Sequence, residues 1–265
     1  MRRERAPRTS RRGRIAVAAV LLAAGCSQGL DAPAPEEVLR LERFFLARLD
    51  PPLASWMFCD RFELTRGEYF ASPEAADADL PAVFLTYCEF DDWTGARGLR
   101  APTTAEWRAL AGLPEASSGP TPLGRNTLEL ALGRPLAVGV FERGRSPLGG
   151  YDFYGNVREM AGPMVQGRVL AMGGSFATHA VGYDARDVVA VDIRDRADDL
   201  GARCVTDALP YLRERVQPLW RSHRKAVEPS LRAAAARWRP DLRQGLAAHL
   251  LAAGLDRDFV AAIAP

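Results

Sequence analysis

The sequence predicts an α+β domain with short, irregular elements, followed by a C-terminal helical extension. The composition of the 265 residues, 48% hydrophobic and 26% charged, is that of a globular protein. Between residues 55 and 206 Gly and Pro are frequent, and only "TYCEFDDW" and "TTAEWRALAG" carry helix signals. From Pro210 onward the chain becomes rich in Ala, Leu and Arg. We therefore expect the domain over 55–206 and the extension over 207–265.

The first 25 residues have the pattern of a secretory signal peptide. The basic stretch "MRRERAPRTSRRGR" precedes the ten-residue apolar run "IAVAAVLLAA", which is too short to span a bilayer as a helix. The following "LAAGC" resembles a bacterial lipobox and predicts lipidation of Cys26, although Ala23 stands where Leu is commoner. The alternative is an ordinary signal peptide with a chance Cys. Ser27 after the Cys favours the outer membrane of the cell envelope.

Charge argues against a nucleic-acid partner. The chain has 35 basic and 33 acidic residues, but the leader holds seven arginines, so the rest carries a net charge near −4. Without a basic surplus, nucleic-acid binding loses its main electrostatic support. Residues 207–265 are net +4, which leaves about −8 on residues 26–206.

Residues 26–54 are predicted to form a tether and a short helix. The tether "SQGLDAPAPEE" is polar and contains Pro, and "EVLRLERFFLARL" then shows apolar residues at helical spacing. The pair Pro51-Pro52 ends this segment.

The stretch "YDFYGNVREMAG" (151–162) concentrates turn and acidic residues. Gly155 and Asn156 tolerate positive φ and predict a turn. The spacing of Asp152 and Glu159 directs two carboxylates toward that turn. The turn therefore closes either on itself or on a cation.

Four segments in order resemble the formylglycine-generating enzyme family, also called the sulfatase-modifying factor domain. They are "RFELTRGEYF", "RAPTTAEWRALAG", "GGYDFYGNVREMAG", and the pair "MGGSFATHA" and "LGARC". The resemblance implies a variant of the C-type lectin fold. The residues agree at the second segment, where Thr103 or Thr104 can cap a helix, Glu106 lies in its first turn and Trp107 points into the core.

The resemblance also implies a calcium site. Ca²⁺ takes six to eight oxygen ligands from carboxylates and backbone carbonyls. Carried onto this chain, the ligands would be the side chains of Asp152 and Glu159 and the carbonyls of Gly155 and Val157. The alternative, equally open, is a metal-free turn in which Glu159 accepts hydrogen bonds from local amides.

The family's copper site is not retained in the sequence. The enzymes oxidise a substrate Cys with two thiolates that hold Cu(I), three and eight positions after the serine of Gly-Gly-Ser. Counting from Ser175 gives Thr178 and Tyr183, so we expect no copper. His179 is adjacent, but a lone His is more often a hydrogen-bonding loop residue than a ligand.

The remaining cysteines leave one pairing open. In the family the final-motif Cys, here Cys204, pairs with one on the helix before the second segment, where Thr94 stands in this chain. Cys59 and Cys88 are both candidates, and one thiol would stay single or pair between chains.

These features favour a lipid-anchored, non-catalytic binding or scaffolding module in the cell envelope, with an unidentified envelope protein or glycan as partner. The rival is a formylglycine-generating or other metal-dependent oxidase with altered chemistry. Relatives of the fold that are iron-dependent sulfoxide synthases need a His-rich site, and the chain has three histidines, His179, His223 and His249.

The extension offers two alternatives as well. Prolines 218, 229 and 240 divide it into three or four helices that are too short to persist alone. Its apolar stripe consists of Leu212, Val216, Leu219 and Trp220. This stripe packs on the chain's own domain, or else the extension holds a partner or polyanion through its basic residues. Those residues are Arg213, Arg215, Arg221, Arg224 and Lys225.

Overall fold

The computed structural model describes residues 35–53, 55–112, 124–179 and 188–264 and confirms the α+β class. The described residues form one compact unit. Its strands are β1 (Phe44–Arg48), β2 (Trp56–Asp60), β3 (Arg158–Val165), β4 (Arg168–Met172), β5 (Val189–Asp192), β6 (Leu200–Gly201) and β7 (Val205–Asp207). Its α-helices are α1 (Glu36–Arg40), α2 (Arg66–Tyr69), α3 (Tyr87–Gly95), α4 (Thr104–Ala111), α5 (Ala208–Tyr211), α6 (Gln217–Ala236), α7 (Pro240–Ala252) and α8 (Arg257–Ile263). In the part of the chain that is described, no helix is both long and apolar enough to cross a membrane.

The strands form two small sheets. The first is antiparallel with the order β1-β2-β7. The second has the order β5-β4-β3-β6, in which β6 runs parallel to β3. Gln166 and Gly167 connect β3 and β4 with φ of 51° and 74°, as a tight hairpin turn requires. The β3–β6 pairing places the residues that flank β6 beside the start of β3.

The first sheet is buried on both faces, which explains the continuous apolar run in β2. Phe44, Leu46 and Phe58 point to one core, and Phe45, Met57 and Cys59 point to the other. The C-terminal helices cover the first face, where Trp238 lies 5.0 Å from Phe58 between ring centroids. Helix α4 covers the second face with Trp107 and Leu110.

Helices α3 and α4 begin at capping boxes, as the sequence predicts for α4. The Thr103 hydroxyl accepts from the Glu106 amide at 3.2 Å, and the Glu106 carboxylate accepts from the Thr103 amide at 2.8 Å. Thr86 and Glu89 make the same pair of contacts at α3. Trp107 is fully buried, which confirms its predicted core position.

The helix predicted over "EVLRLERFFLARL" is wrong in its second half. Only Glu36–Arg40 is helical, and Phe44–Arg48 forms strand β1, paired with β2. A short apolar run fits a buried strand as well as a helix, and periodicity alone does not separate them. Here both faces of the strand are covered, and pairing with β2 selects the strand over the helix.

The C-terminal extension packs on the domain. Leu212, Val216 and Trp220 lie in the same core as Phe44 and Phe58. A π-helical turn over Leu212–Val216 leads into α6. Pro240 lies in the first turn of α7, where a missing N–H costs little, and Pro218 follows directly on the π-helical turn.

The predicted break at Pro229 is wrong. Pro229 lies inside α6, and the helix is interrupted instead at His223, whose φ and ψ are −135° and 41°. The fixed φ of Pro is compatible with a helix. What a proline disrupts is the preceding turn, where it lacks a hydrogen bond and crowds the carbonyl four residues before it. The helix continues through Pro229 without the N–H that would otherwise donate to the Lys225 carbonyl.

Candidate functional site

The turn before β3 takes its shape from the residue types at its positive-φ positions. Asp152, Gly155 and Asn156 have φ of 57°, 82° and 57°. Asp and Asn tolerate this region better than other side chains. At Gly155 a Cβ atom would lie 2.5 Å from the carbonyl oxygen of Asn126, so only glycine fits. The predicted Gly-Asn turn is therefore present.

Glu63 and Asn156 hold this turn to the rest of the domain. The Asn156 side-chain amide donates to Glu63 Oε2 at 2.7 Å, and the Val157 amide donates to Glu63 Oε1 at 3.1 Å. The Asn156 side-chain oxygen accepts from the Leu136 amide at 2.9 Å. Burial, with Asp152 nearby, raises the pKa of Glu63 well above its ordinary value.

Glu159 and Arg203 form a fully buried ion pair at the centre of the domain. Arg203 Nη2 lies 2.6 Å from Glu159 Oε1, and Trp107 Nε1 donates to Glu159 Oε2 at 2.7 Å. Burial acts to lower the pKa of Arg203, but the Glu159 carboxylate outweighs it and the pKa is raised. The motif "LGARC" marked Arg203, yet sequence reasoning missed it as the partner of Glu159.

The predicted calcium ligands are only partly brought together. Asp152, Gly155 and Val157 share the turn, and Asp152 Oδ2 accepts from the Gly139 amide at 2.6 Å. The Glu159 carboxylate faces Arg203, so a guanidinium already stands where a cation would have to bind. Within the described ranges no cluster of three or more His, Cys, Asp or Glu residues could hold a metal ion.

This donor set does not fit Ca²⁺ as it is arranged, and the geometry favours the metal-free turn. Details of that alternative differ from the prediction, because Glu159 accepts from Arg203 and Trp107 rather than from local amides. Glu63 is the carboxylate that accepts from a turn amide, that of Val157. Calcium binding itself stays a prediction.

At the Gly-Gly-Ser turn, Thr178, which stands at the first thiol position of the resemblance, is held by a hydrogen bond. The Ser175 amide donates to Thr178 Oγ1 at 3.0 Å, so the Thr178 hydroxyl is held inside the turn. The second thiol position, Tyr183, lies outside the described residues. His179 is exposed, and its ring nitrogen lies 3.3 Å from Glu129 Oε1.

A buried acid joins this turn to strand β3. Ser175 Oγ donates to Asp199 Oδ2 at 2.8 Å, and Arg158 Nη2 donates to both oxygens of Asp199 at 2.7 and 2.8 Å. Sequence reasoning missed Asp199, whose only signal was its place just before "LGARC".

The predicted disulfide is wrong for the cysteines that the structure describes. Cys59, Cys88 and Cys204 are all free thiols. Cys59 and Cys204 face opposite sides of the first sheet, and Cys88 is exposed on α3. Burial raises the pKa of Cys59 and Cys204 well above the ordinary value. Neither buried thiol is therefore poised as a thiolate.

A surface of exposed apolar side chains adjoins the Gly-Gly-Ser turn. The Leu128 amide donates to the Thr178 carbonyl at 3.0 Å. Leu128 and Leu130 are each 39% exposed, and Leu132, two residues further on, is 46% exposed. We call these three residues the leucine loop.

Comparison with known proteins supports the fold. No protein-family model and no curated protein sequence matches the chain. Among solved structures, the chain is similar to Treponema denticola variable protein 1, with a TM-score of 0.50 and 16% identity over 61% of this chain and 92% of that one. PvdO from Pseudomonas aeruginosa has a TM-score of 0.49 and 17% identity, over 58% and 81% of the two chains. CarF has a TM-score of 0.47 and 19% identity, over 57% and 86%. At these identities the first match shows a shared fold, and the other two support no further conclusion.

Proposed function

We propose that the chain is a lipid-anchored binding or scaffolding module of the cell envelope, with the fold of the formylglycine-generating enzymes but without their thiol oxidation. The observation that carries the proposal is Thr178, a hydroxyl held by the Ser175 amide at the position of the first thiol. The cysteines of the described segments lie elsewhere, and the two buried ones have raised pKa values.

The leucine loop supports binding as the activity of this face. Contiguous apolar patches are typical of interaction surfaces, and these three leucines are exposed at alternate positions of one short segment. Leu128 is fixed to the Gly-Gly-Ser turn through its amide, so the loop is presented on an anchored backbone. The partner would be an envelope protein or glycan.

Replacing a leucine of this loop tests the binding surface. Leu128→Asp is expected to lower partner recovery from native envelopes at least tenfold while leaving the melting midpoint within about 2 °C, since surface changes rarely alter stability by more than about 0.5 kcal/mol. Leu251→Asp on α7, at a residue 46% exposed, is the matched control. Equal recovery with both variants would argue against this surface.

Metal analysis separates the module from the altered-oxidase alternative. Purified protein is expected to hold no stoichiometric copper or iron and to leave a Cys-containing peptide unchanged. Stoichiometric redox metal with turnover of the thiol peptide would establish the oxidase instead.

Anchoring rests on Cys26, which lies outside the described residues. Cys26→Ser is expected to move the protein from the membrane fraction to the soluble fraction, because acyl chains supply the anchor. Unchanged fractionation, with no incorporation of a fatty-acid analogue into the wild type, would refute the lipid anchor.

A further inference from the structure

A groove separate from the leucine loop lies between α1, the segment after β2 and the end of α6. Its volume is about 870 Å³, within the ~300–1,000 Å³ typical of small-molecule sites. Three arginines line it, Arg43 from the segment after α1, Arg61 after β2 and Arg237 after α6. Its apolar wall includes Phe62 and Val138.

Arg61 differs from the other two arginines in its partners. Arg43 lies 3.0 Å from a carboxylate oxygen of Glu68, and Arg237 lies 3.2 Å from one of Glu42. Arg61 donates to the carbonyl oxygens of Phe44 at 3.2 Å and Arg237 at 3.4 Å. No carboxylate of the described segments lies within salt-bridge distance of it, so its charge is matched only by carbonyl dipoles.

The charges around Arg61 are mixed, because the side chains of Glu42 and Asp79 line the groove together with the three arginines, which leaves one positive charge in excess. Partial burial lowers the pKa of Arg61, and the nearby guanidinium groups of Arg237 and Arg145 lower it further. A guanidinium nevertheless stays protonated at neutral pH. Glu42 already pairs with Arg237, and no carboxylate of the described segments reaches Arg61, so an anion that entered the groove would meet a partly desolvated cation without an acidic partner of its own.

The apolar wall is held in place. The Phe62 ring packs against Tyr151 at 5.1 Å between centroids and against Gly139, where an added Cβ would lie 2.4 Å from a ring carbon. The Val138 amide donates to the Asp79 carbonyl at 2.9 Å, which fixes the backbone on that side. A ligand would thus meet a preformed surface and lose little free energy to ordering.

We propose that this groove binds a small organic anion whose phosphate or carboxylate group pairs with Arg61 and whose apolar part lies against Phe62 and Val138. Arginine suits either anion because its planar donors match their oxygens in pairs. The proposal does not depend on the partner proposed for the leucine loop, which involves other residues.

Calorimetric titration of the full chain tests the proposal with phenyl phosphate and benzoate, and with phenol as the uncharged analogue. At least one anion is expected to bind ten times more tightly than phenol, and their relative affinities show whether phosphate or carboxylate is preferred. Arg61→Gln is expected to weaken the binding of that anion at least tenfold. Arg232→Gln, which removes an exposed arginine paired with Glu228 on α6, is expected to change it less than twofold.

Arg61 also donates to the Phe44 carbonyl, so Arg61→Gln removes a structural contact together with the charge. A second variant therefore tests the groove without changing Arg61. Ala137→Trp fills the groove and leaves Arg61 in place, and it is expected to abolish anion binding with the wild-type melting midpoint. Equal binding of the anions and phenol, or anion binding by Ala137→Trp as tight as by the wild type, would overturn the proposal.

Discussion

At the scale of single residues, the ion pair of Glu159 and Arg203 ties several segments together through one guanidinium. Besides Glu159, Arg203 donates to the carbonyl oxygens of Asp60 at 3.0 Å and Tyr151 at 2.6 Å. Its guanidinium carbon lies 4.1 Å from the centre of the Phe153 ring. A pair so fully desolvated contributes little net stability, but removing one partner strands the other charge.

Glu159→Gln is therefore expected to lower the free energy of unfolding by about 3–5 kcal/mol, because Arg203 would stay buried without an anion. Denaturant titration measures the change. Glu142→Gln, which alters the exposed contacts of Glu142 with Arg145 and Tyr151, is the control and should leave the free energy of unfolding close to that of the wild type. A loss below about 1 kcal/mol in Glu159→Gln would show that the pair is not buried as described.

The same pair leads us to expect that the turn before β3 folds without calcium. A chelator should leave the wild-type melting midpoint unchanged, because Glu159 already faces a guanidinium. A ligand that binds only the native state would instead add about 2.7 kcal/mol at a hundredfold excess over Kd. A calcium-dependent rise in the wild type that Asp152→Ala abolishes would restore the calcium site.

At the scale of elements, the first turn of helix α3 is fixed by hydrogen bonds between neighbouring side chains and backbone amides. The capping box of α3 has an additional partner, since the Glu89 carboxylate also accepts from Arg196 Nη2 at 2.6 Å. These bonds, first that from Arg196 and then those from Thr86, lower the pKa of Glu89 to about 2. The charged carboxylate is thus the form that the folded state prefers.

This lowered pKa predicts a pH dependence of stability. The pKa of Glu89 is about 2 in the folded state and close to 4.5 without these contacts. Its contribution should be complete above pH 4.5 and decline as the pH falls toward 2. In melting curves, Glu89→Gln should be less stable than the wild type at pH 6, with the difference shrinking toward pH 2. The control Cys88→Ser should show a constant difference, and a constant difference for Glu89→Gln would contradict the prediction.

The features that could be predicted from the sequence are those whose contacting residues are close together in the chain. The cap of α4 and the turn at Gly155 and Asn156 were predictable, because the residues that make the contacts are neighbours in the chain. The strand at Phe44–Arg48, the partner of Glu159 and the role of Asp199 were not, because each depends on residues at least 8 positions away. The separation of Cys59 from Cys204 depends on which face of the first sheet each thiol takes, and that is set by strand pairing.

At the scale of the whole molecule, the C-terminal extension completes the core. Trp220 packs on Phe259 of α8 at 5.7 Å, and Tyr211 donates to the Glu37 carbonyl at 3.0 Å. The basic residues of the extension are only partly available to a partner. All four of Arg213, Arg221, Arg224 and Lys225 are exposed, but Arg213 donates to the Ala253 carbonyl and Arg224 pairs with Glu228.

Ending the chain after Asp207 is therefore expected to give an insoluble or unfolded domain. The truncation would expose Phe44, Leu46, Phe58 and their neighbours on one face of the first sheet, and each large apolar side chain returned to water costs about 1.5–3 kcal/mol. Sedimentation and circular dichroism measure the outcome.

The full chain with Arg221→Gln and Lys225→Gln is the matched control, because it removes exposed charge and keeps the core. This double variant should melt like the wild type. If it loses a partner that the wild type retains, and the loss depends on salt, Arg221 and Lys225 take part in binding. A truncated domain that melts at the wild-type midpoint would contradict the structural role of the extension, since a sheet with one face uncovered should not hold its stability.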